Sequence, residues 1–377
     1  MVAARVTLIS ILCLIGGGLS AGVISARAPD TRFADLEAGQ STSAVMPEKH
    51  RLFIEGAGES AAIRPGDRKG AHERTRIAAA AQGADAPDVS MASGVARDCD
   101  RLISTPAAVS EARVARVTLA GVPALLRMPP RVTQPPILLW HGFGPPAGEE
   151  ELMHVLPLDE VPAVKVYLGL PLFGARQLAG GLQELAARQR EDVVLNVFEP
   201  VVMGAAEELP AVVKALTEGR CMRPEDSVAL VGFSAGGASV LIALAERQVP
   251  IDAAVTLNAS TGVSDSVNAY ERATGASYEW SERSRALASR SDAAKRSAAI
   301  ARDTPAILLI HGQDDAMLTP ESARKLHDVL RPYYAQAGAE SRLRLSVVPG
   351  LQHSVALPDV APLLNRHVTE WLAAREH

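Results

Sequence analysis

The sequence is poor in the patterns that hold metals, nucleotides or nucleic acids. Only three of its 377 residues are cysteine, Cys13, Cys99 and Cys221, and neither they nor the histidines form a CxxC, HExxH or paired-histidine pattern. No metal is therefore expected. A GxGxxG turn and a GxxxxGK[ST] loop are also missing, so no cofactor is expected. Lysine and arginine total 38 against 43 acidic residues, the formal net charge is -5, and aromatics make up 4% of the chain. With no basic run and no aromatic ladder, nucleic acid is not an expected partner.

Aliphatic side chains are scarce over one long stretch. Between Asp30 and Val95 only ten of 66 residues are Ile, Leu, Val or Phe, too few to offset the entropy of ordering that segment. Residues 29–95 read as a mostly disordered linker with room for a short helix around 74–82. Before it, residues 1–28 place Arg5 ahead of an uncharged stretch from Val6 to Ala26, with small residues at Ser25, Ala26 and Ala28. This fits an export signal and a periplasmic or secreted protein; the stretch is also long enough for a retained membrane anchor, the one membrane contact expected. In an oxidising compartment Cys99 and Cys221 have two fates, a bridge closing 122 residues or two separate thiols.

Residues 228–237 read VALVGFSAGG and run into ASVLIALAERQ. An apolar strand, a sharp turn with glycines two places either side of a serine, and a helix make a nucleophile elbow, in which the turn pushes the Ser234 hydroxyl out at the end of a sheet. A serine hydroxyl is a weak nucleophile that needs a histidine base oriented by a carboxylate. The chain supplies both downstream. Residues 305–312, PAILLIHG, form another buried-strand run that breaks into Gln313, Asp314 and Asp315 before the helical stretch opened by Pro320. Neighbouring carboxylates cannot both face one imidazole; Asp315 is favoured and Asp314 stays open. Residues 342–348, RLRLSVV, alternate like a strand and lead through Pro349 and Gly350 to His353, the expected base. His327 and His367 fall inside expected helices and read as structural.

Acyl transfer builds an oxyanion that needs backbone N–H donors. The amide of Ala235 follows the nucleophile. A second is expected after an early strand, and PILLWHGFG at 136–144 offers the amide of Phe143, with His141 bracing that loop.

HGFG at 141–144, GFSAGG at 232–237, HGQDD at 311–315 and GLQH at 350–353, in that order, resemble the α/β-hydrolase superfamily from about residue 105 onward. The double glycine after the serine is similar to the dienelactone hydrolase and prolyl oligopeptidase-like branches and to many esterases. The resemblance implies nucleophile Ser234, acid Asp315, base His353 and oxyanion amides at Phe143 and Ala235. It departs from the family in two places. The proline usual after the acid comes one residue late, as Pro320, which keeps Asp314 open. Residues 168–176, LGLPLFGAR, lack the commonest loop.

Buried or alternating runs place strands at 113–119, 122–128, 136–141, 163–169, 227–232, 251–257, 305–311 and 342–348, and helices at 200–217, 235–247, 320–337 and 360–375. The expected architecture is an α/β-hydrolase fold over 96–377, a mainly parallel sheet of about eight strands with helices on both faces. An insertion at 258–303 is expected to form a small helical cap whose Tyr270, Tyr278 and Trp280 line the substrate pocket. The sequon at Asn258, Ala259 and Ser260 ends a buried strand and reads as chance. Loops at 144–160 and 170–196 carry no legible code, and neither does the oligomeric state. The expected activity is hydrolysis of a small-molecule carboxylic ester through an acyl-enzyme. A prolyl oligopeptidase-like peptidase stands second, since the linker has no room for the β-propeller usual in that kind, and a non-catalytic binding protein third.

Overall fold

Strands that are apolar at every position need cover on both sides, and the sheet of this chain has it. The computed structural model describes Cys99 and residues 112–374; the expected signal or anchor at 1–28 and the linker at 29–95 lie outside the described residues. Strands β1 (Arg113–Leu119), β2 (Val122–Met128), β3 (Gln134–Trp140), β4 (Ala163–Leu168), β5 (Val228–Phe233), β6 (Ile251–Leu257), β7 (Ala306–Gly312) and β8 (Leu343–Val348) form one sheet in the order β1-β2-β4-β3-β5-β6-β7-β8. β1 pairs antiparallel with β2, and β2 with β4. From β4 to β8 every pairing is parallel.

The helices are α1 (Glu149–Val155), α2 (Gly181–Val193), α3 (Gly204–Glu218), α4 (Ala235–Glu246), α5 (Val263–Thr274), α6 (Glu282–Ser291), α7 (Ser297–Ile300), α8 (Pro320–Gln336) and α9 (Ala361–Ala373). Strand side chains alternate between two cores, as a period of two requires. On one face Leu138, Trp140 and Leu230 pack with Leu209 of α3, Leu241 of α4 and Leu326 of α8. On the other, Ile137, Leu139 and Val231 pack with Leu152 of α1 and Leu364 and Val368 of α9. Helix α4 is buried nearly all round, which explains why it carries no polar stripe.

Differences from the sequence reading lie between the strands. The stretches 144–160 and 170–196 contain α1 and α2. α1 is only two turns long, with three glutamates in its first turn where the helix dipole favours them, too brief for a periodic signal. The helix expected from residue 200 starts earlier and in another form, as a π-helical stretch over Val194–Met203 with Pro200 inside it. Proline has no N–H to give to the regular α-ladder. The Asp192 carboxylate opens this stretch, its Oδ1 accepting from the amides of Val194 and Leu195 at 3.0 and 2.9 Å.

Cys99 and Cys221 are joined in a disulfide, both fully buried. The bridge ties residue 99 to the turn ahead of β5, across 122 residues. Chain entropy alone gives such a loop a stabilisation of about 5 kcal/mol. Replacing both cysteines by serine is expected to lower the unfolding free energy by about 2–5 kcal/mol, measured by urea denaturation. The wild-type protein should show no reactivity of either residue toward a thiol reagent before reduction.

Candidate active site

All six parallel strands, β3 to β8, end on one edge of the sheet. The chain runs from β3 to β4 on one side, then returns to place β5 on the other side of β3. Loops leaving β3 and β5 therefore diverge and open a crevice, the general location of sites in such sheets. Ser234 stands there, between β5 and α4, with φ 53° and ψ -115°, a conformation unfavourable for any residue with a side chain. The surroundings hold it: Ser234 N donates to Leu257 O at 2.9 Å and Gly236 N to His141 O at 3.1 Å. A Cβ at Gly236 would stand 2.5 Å from the carbonyl oxygens of both Trp140 and His141. Glycine is required at that crossing for contact with β3.

The imidazole of His353 lies between the serine and a carboxylate. Its Nε2 is 3.1 Å from Ser234 Oγ and its Nδ1 2.8 Å from Asp315 Oδ2. Asp315 is the acid by position. It is 2% exposed, its Oδ1 accepts from the amides of Met317 and Leu318 at 2.9 Å each, and the buried His311 stands 3.5 Å from Oδ2. Burial works against the charge of Asp315, but hydrogen bonds from His311 and His353, the His353 charge and the Leu318 amide outweigh it and hold the group well below the usual carboxylate range. An ionised acid fixes the His353 tautomer that leaves Nε2 free to take the serine proton. Asp314 points elsewhere: its Oδ2 accepts from Gly350 N at 3.0 Å, pinning the turn before His353.

The sequence reading missed Asn258. It follows β6 directly, is fully buried and has φ 46°. Its Nδ2 donates to the carbonyls of Gln352 and His353 at 2.8 Å each, and its Oδ1 accepts from Gly312 N at 2.7 Å. One amide thus joins the ends of β6 and β7 to the backbone of the base. The legible signal was a polar residue ending a buried strand beside the two strands that lead to acid and nucleophile. His141 is fully buried, with Nδ1 2.8 Å from Gly142 O and Nε2 accepting from Leu170 N at 3.2 Å. Burial pushes its pKa down to about 4 against the opposing bond to Gly142, so the neutral ring braces the loops after β3 and β4.

Phe143 and Ala235 both border the cavity beside Ser234. Ala235 opens α4, where an amide has no acceptor inside its own helix. The Phe143 ring stacks on Phe173 at 4.7 Å. The cavity has two apolar walls: Val197 and Phe198 from the π-helical stretch, Val263 and Val267 from α5. Of the three aromatics expected to line it, Tyr270 does so. Tyr278 and Trp280 instead form an edge-to-face pair at 5.0 Å outside the lining, because the Tyr278 hydroxyl reaches Asp192 Oδ1 at 2.7 Å. Among the described residues no group of three or more His, Cys, Asp or Glu side chains is placed to hold a metal.

The order of the strands and the three side chains meeting at their ends decide the type. The chain has the α/β-hydrolase fold and carries the triad arrangement of a serine hydrolase. Residues 204–375 of the hydrolase match the model of the prolyl oligopeptidase family, Peptidase_S9. Among solved structures it is similar to TT1662 from Thermus thermophilus, at 22% identity and TM-score 0.53 over 70% of this chain and 99% of that one. Two others are a puromycin-hydrolyzing peptidase of Mycobacterium tuberculosis, at 17% identity and TM-score 0.49 over 71% of this chain and 40% of that one, and a dienelactone hydrolase from Anabaena variabilis, at 18% and 0.44 over 69% and 97%. No curated protein matches the hydrolase.

Asp315→Asn is expected to lower kcat by about 10⁴-fold, as loss of the oriented tautomer does in other triads, whereas Asp314→Asn should cost less than about tenfold; steady-state kinetics on any turned-over substrate tells the two carboxylates apart. Asn258→Ala should lower kcat by about 10- to 100-fold through displacement of the base with little change in KM. A variant that lost stability alone, with kcat intact, would assign Asn258 a purely structural role.

Proposed function

We propose that this hydrolase cleaves short peptides and related amides through an acyl-enzyme on Ser234. One observation carries the reading: the run from 204 to 375 that matches the prolyl oligopeptidase family contains Ser234, Asp315 and His353. The sequence alone favoured an ester, and the family match supports its second reading over its first. On this proposal Ser234 Oγ attacks the carbonyl carbon as His353 Nε2 takes its proton, and Asp315 stabilises the imidazolium. The amides of Phe143 and Ala235 bind the oxyanion. Collapse of the tetrahedral intermediate expels the amine, which takes the proton from His353. A water then repeats the sequence in reverse roles and frees the acid and Ser234.

The ester reading keeps one observation in its favour, the predominantly apolar lining of the cavity, which offers a peptide main chain few partners. An ester asks for fewer. The buried bridge between Cys99 and Cys221 supports work in an oxidising compartment, as the expected export signal does.

A panel of acyl p-nitroanilides and the p-nitrophenyl esters of the same acyl groups tests both readings. We expect the anilides to be cleaved, and Ser234→Ala to lower that rate by about 10⁵- to 10⁶-fold. Cleavage of the esters with the anilides left intact would move the enzyme to the ester reading. Failure on every substrate, with no fluorophosphonate labelling of Ser234 in folded protein, would end both.

A further inference from the structure

Between its apolar walls the cavity beside Ser234 contains one short chain of hydroxyls, Ser260 and Ser266, both in its lining. Ser260 lies two residues beyond Asn258 on the active edge of the sheet and is 2% exposed. Its Oγ stands 2.7 Å from Gly262 O. A carbonyl can only accept, so the single Ser260 hydrogen goes there. Ser266, on the first turn of α5, has its Oγ 3.0 Å from Ser260 Oγ. With the Ser260 hydrogen already committed, Ser266 must be the donor in that contact. The Gly262 amide, 3.4 Å away, fills the remaining acceptor position of Ser260. The direction of the chain is therefore fixed, and Ser266 faces the cavity with lone pairs and no hydrogen to give. A polar spot that only accepts is selective: it rewards an N–H and gives nothing to an ether or ester oxygen, which can only accept.

We propose that Ser266, oriented by Ser260, is the acceptor for an N–H on the acyl part of the substrate, and that the pocket thereby selects N-acylated aminoacyl and peptidyl groups over hydrocarbon acyl groups of the same size. The inference rests on the serine-hydrolase reading and deepens it, since an acyl-side N–H is what a peptide has and a fatty acyl chain lacks. Ser260 belongs to the strand-end loop that follows Asn258, so the acceptor is referenced to the same edge that holds the nucleophile. Apolar contacts from Val267 and Tyr270 on α5 remain available to the side chain beside that N–H. A hydrocarbon acyl group would dehydrate the Ser266 oxygen and supply no donor, the situation in which one missing hydrogen bond is felt most.

Two esters differing at a single position test this: the p-nitrophenyl esters of N-acetyl-L-phenylalanine and of 2-acetoxy-3-phenylpropionic acid, in which oxygen replaces N–H. Wild-type enzyme is expected to favour the first by about tenfold in kcat/KM, the size of one ordinary hydrogen bond. Ser266→Ala should bring the ratio to about one and Ser266→Thr should keep it. Ser260→Ala, which frees the Ser266 hydrogen, should also shrink it and serves if Ser266→Ala does not fold. An equal ratio in wild type and Ser266→Ala would overturn the proposal. If neither ester is turned over, the catalytic reading has failed, and calorimetric binding of the two corresponding primary amides to Ser234→Ala protein still decides the selectivity. The same tenfold difference there supports it, and equal affinities refute it.

Discussion

At Gly236 the first turn of helix α4 lies against the last carbonyls of β3, with room for a hydrogen and not for a methyl group. Most of the active edge is set by that contact. It brings the helix start close enough for Gly236 N to bond His141 O, holds the backbone of Ser234 at φ 53°, and leaves the amide of Ala235 without a helical acceptor beside the cavity. A larger residue would lift α4 from the sheet and turn the serine with it. The remaining groups of the site are then reached from the far side, from loops after β7 and β8 that Asn258 ties together at their backbones.

The fold was legible because its strands are covered on both faces. Such strands read as unbroken apolar runs, and VALVG and AILLI stand out even in a chain with few aromatics. The triad was legible for a related reason: in a parallel sheet each strand end is a fixed address, so the residue types after three strand ends carried the arrangement. Asp314 against Asp315 was not resolved at that level, because spacing cannot tell which of two adjacent carboxylates turns inward. The two amides given to Asp315 Oδ1 and the one taken up by Asp314 Oδ2 settle the direction of each.

What stayed hidden depends on contacts between distant parts of the chain. Asn258 looked like half of a chance sequon, and its three partners lie 54 to 95 residues away. Tyr278 and Trp280 looked like pocket aromatics because they sit in the insertion over the site; a hydroxyl bond to Asp192, 86 residues earlier, turns that pair aside. The pocket is similarly composite. Its two apolar walls come from the π-helical stretch and from α5, and an ion pair from Arg283 of α6 to Glu199 at 2.6 Å ties the helix after α5 to that same stretch.

The unusual backbone of Ser234 has a consequence for the molecule's history as well as its chemistry. A glycine would rest more easily in that seat, so the fold on its own would drift toward a residue unable to perform the reaction. Keeping a side chain there sets durability against turnover at a single peptide unit. It leaves the protein somewhat less robust than its own architecture would permit.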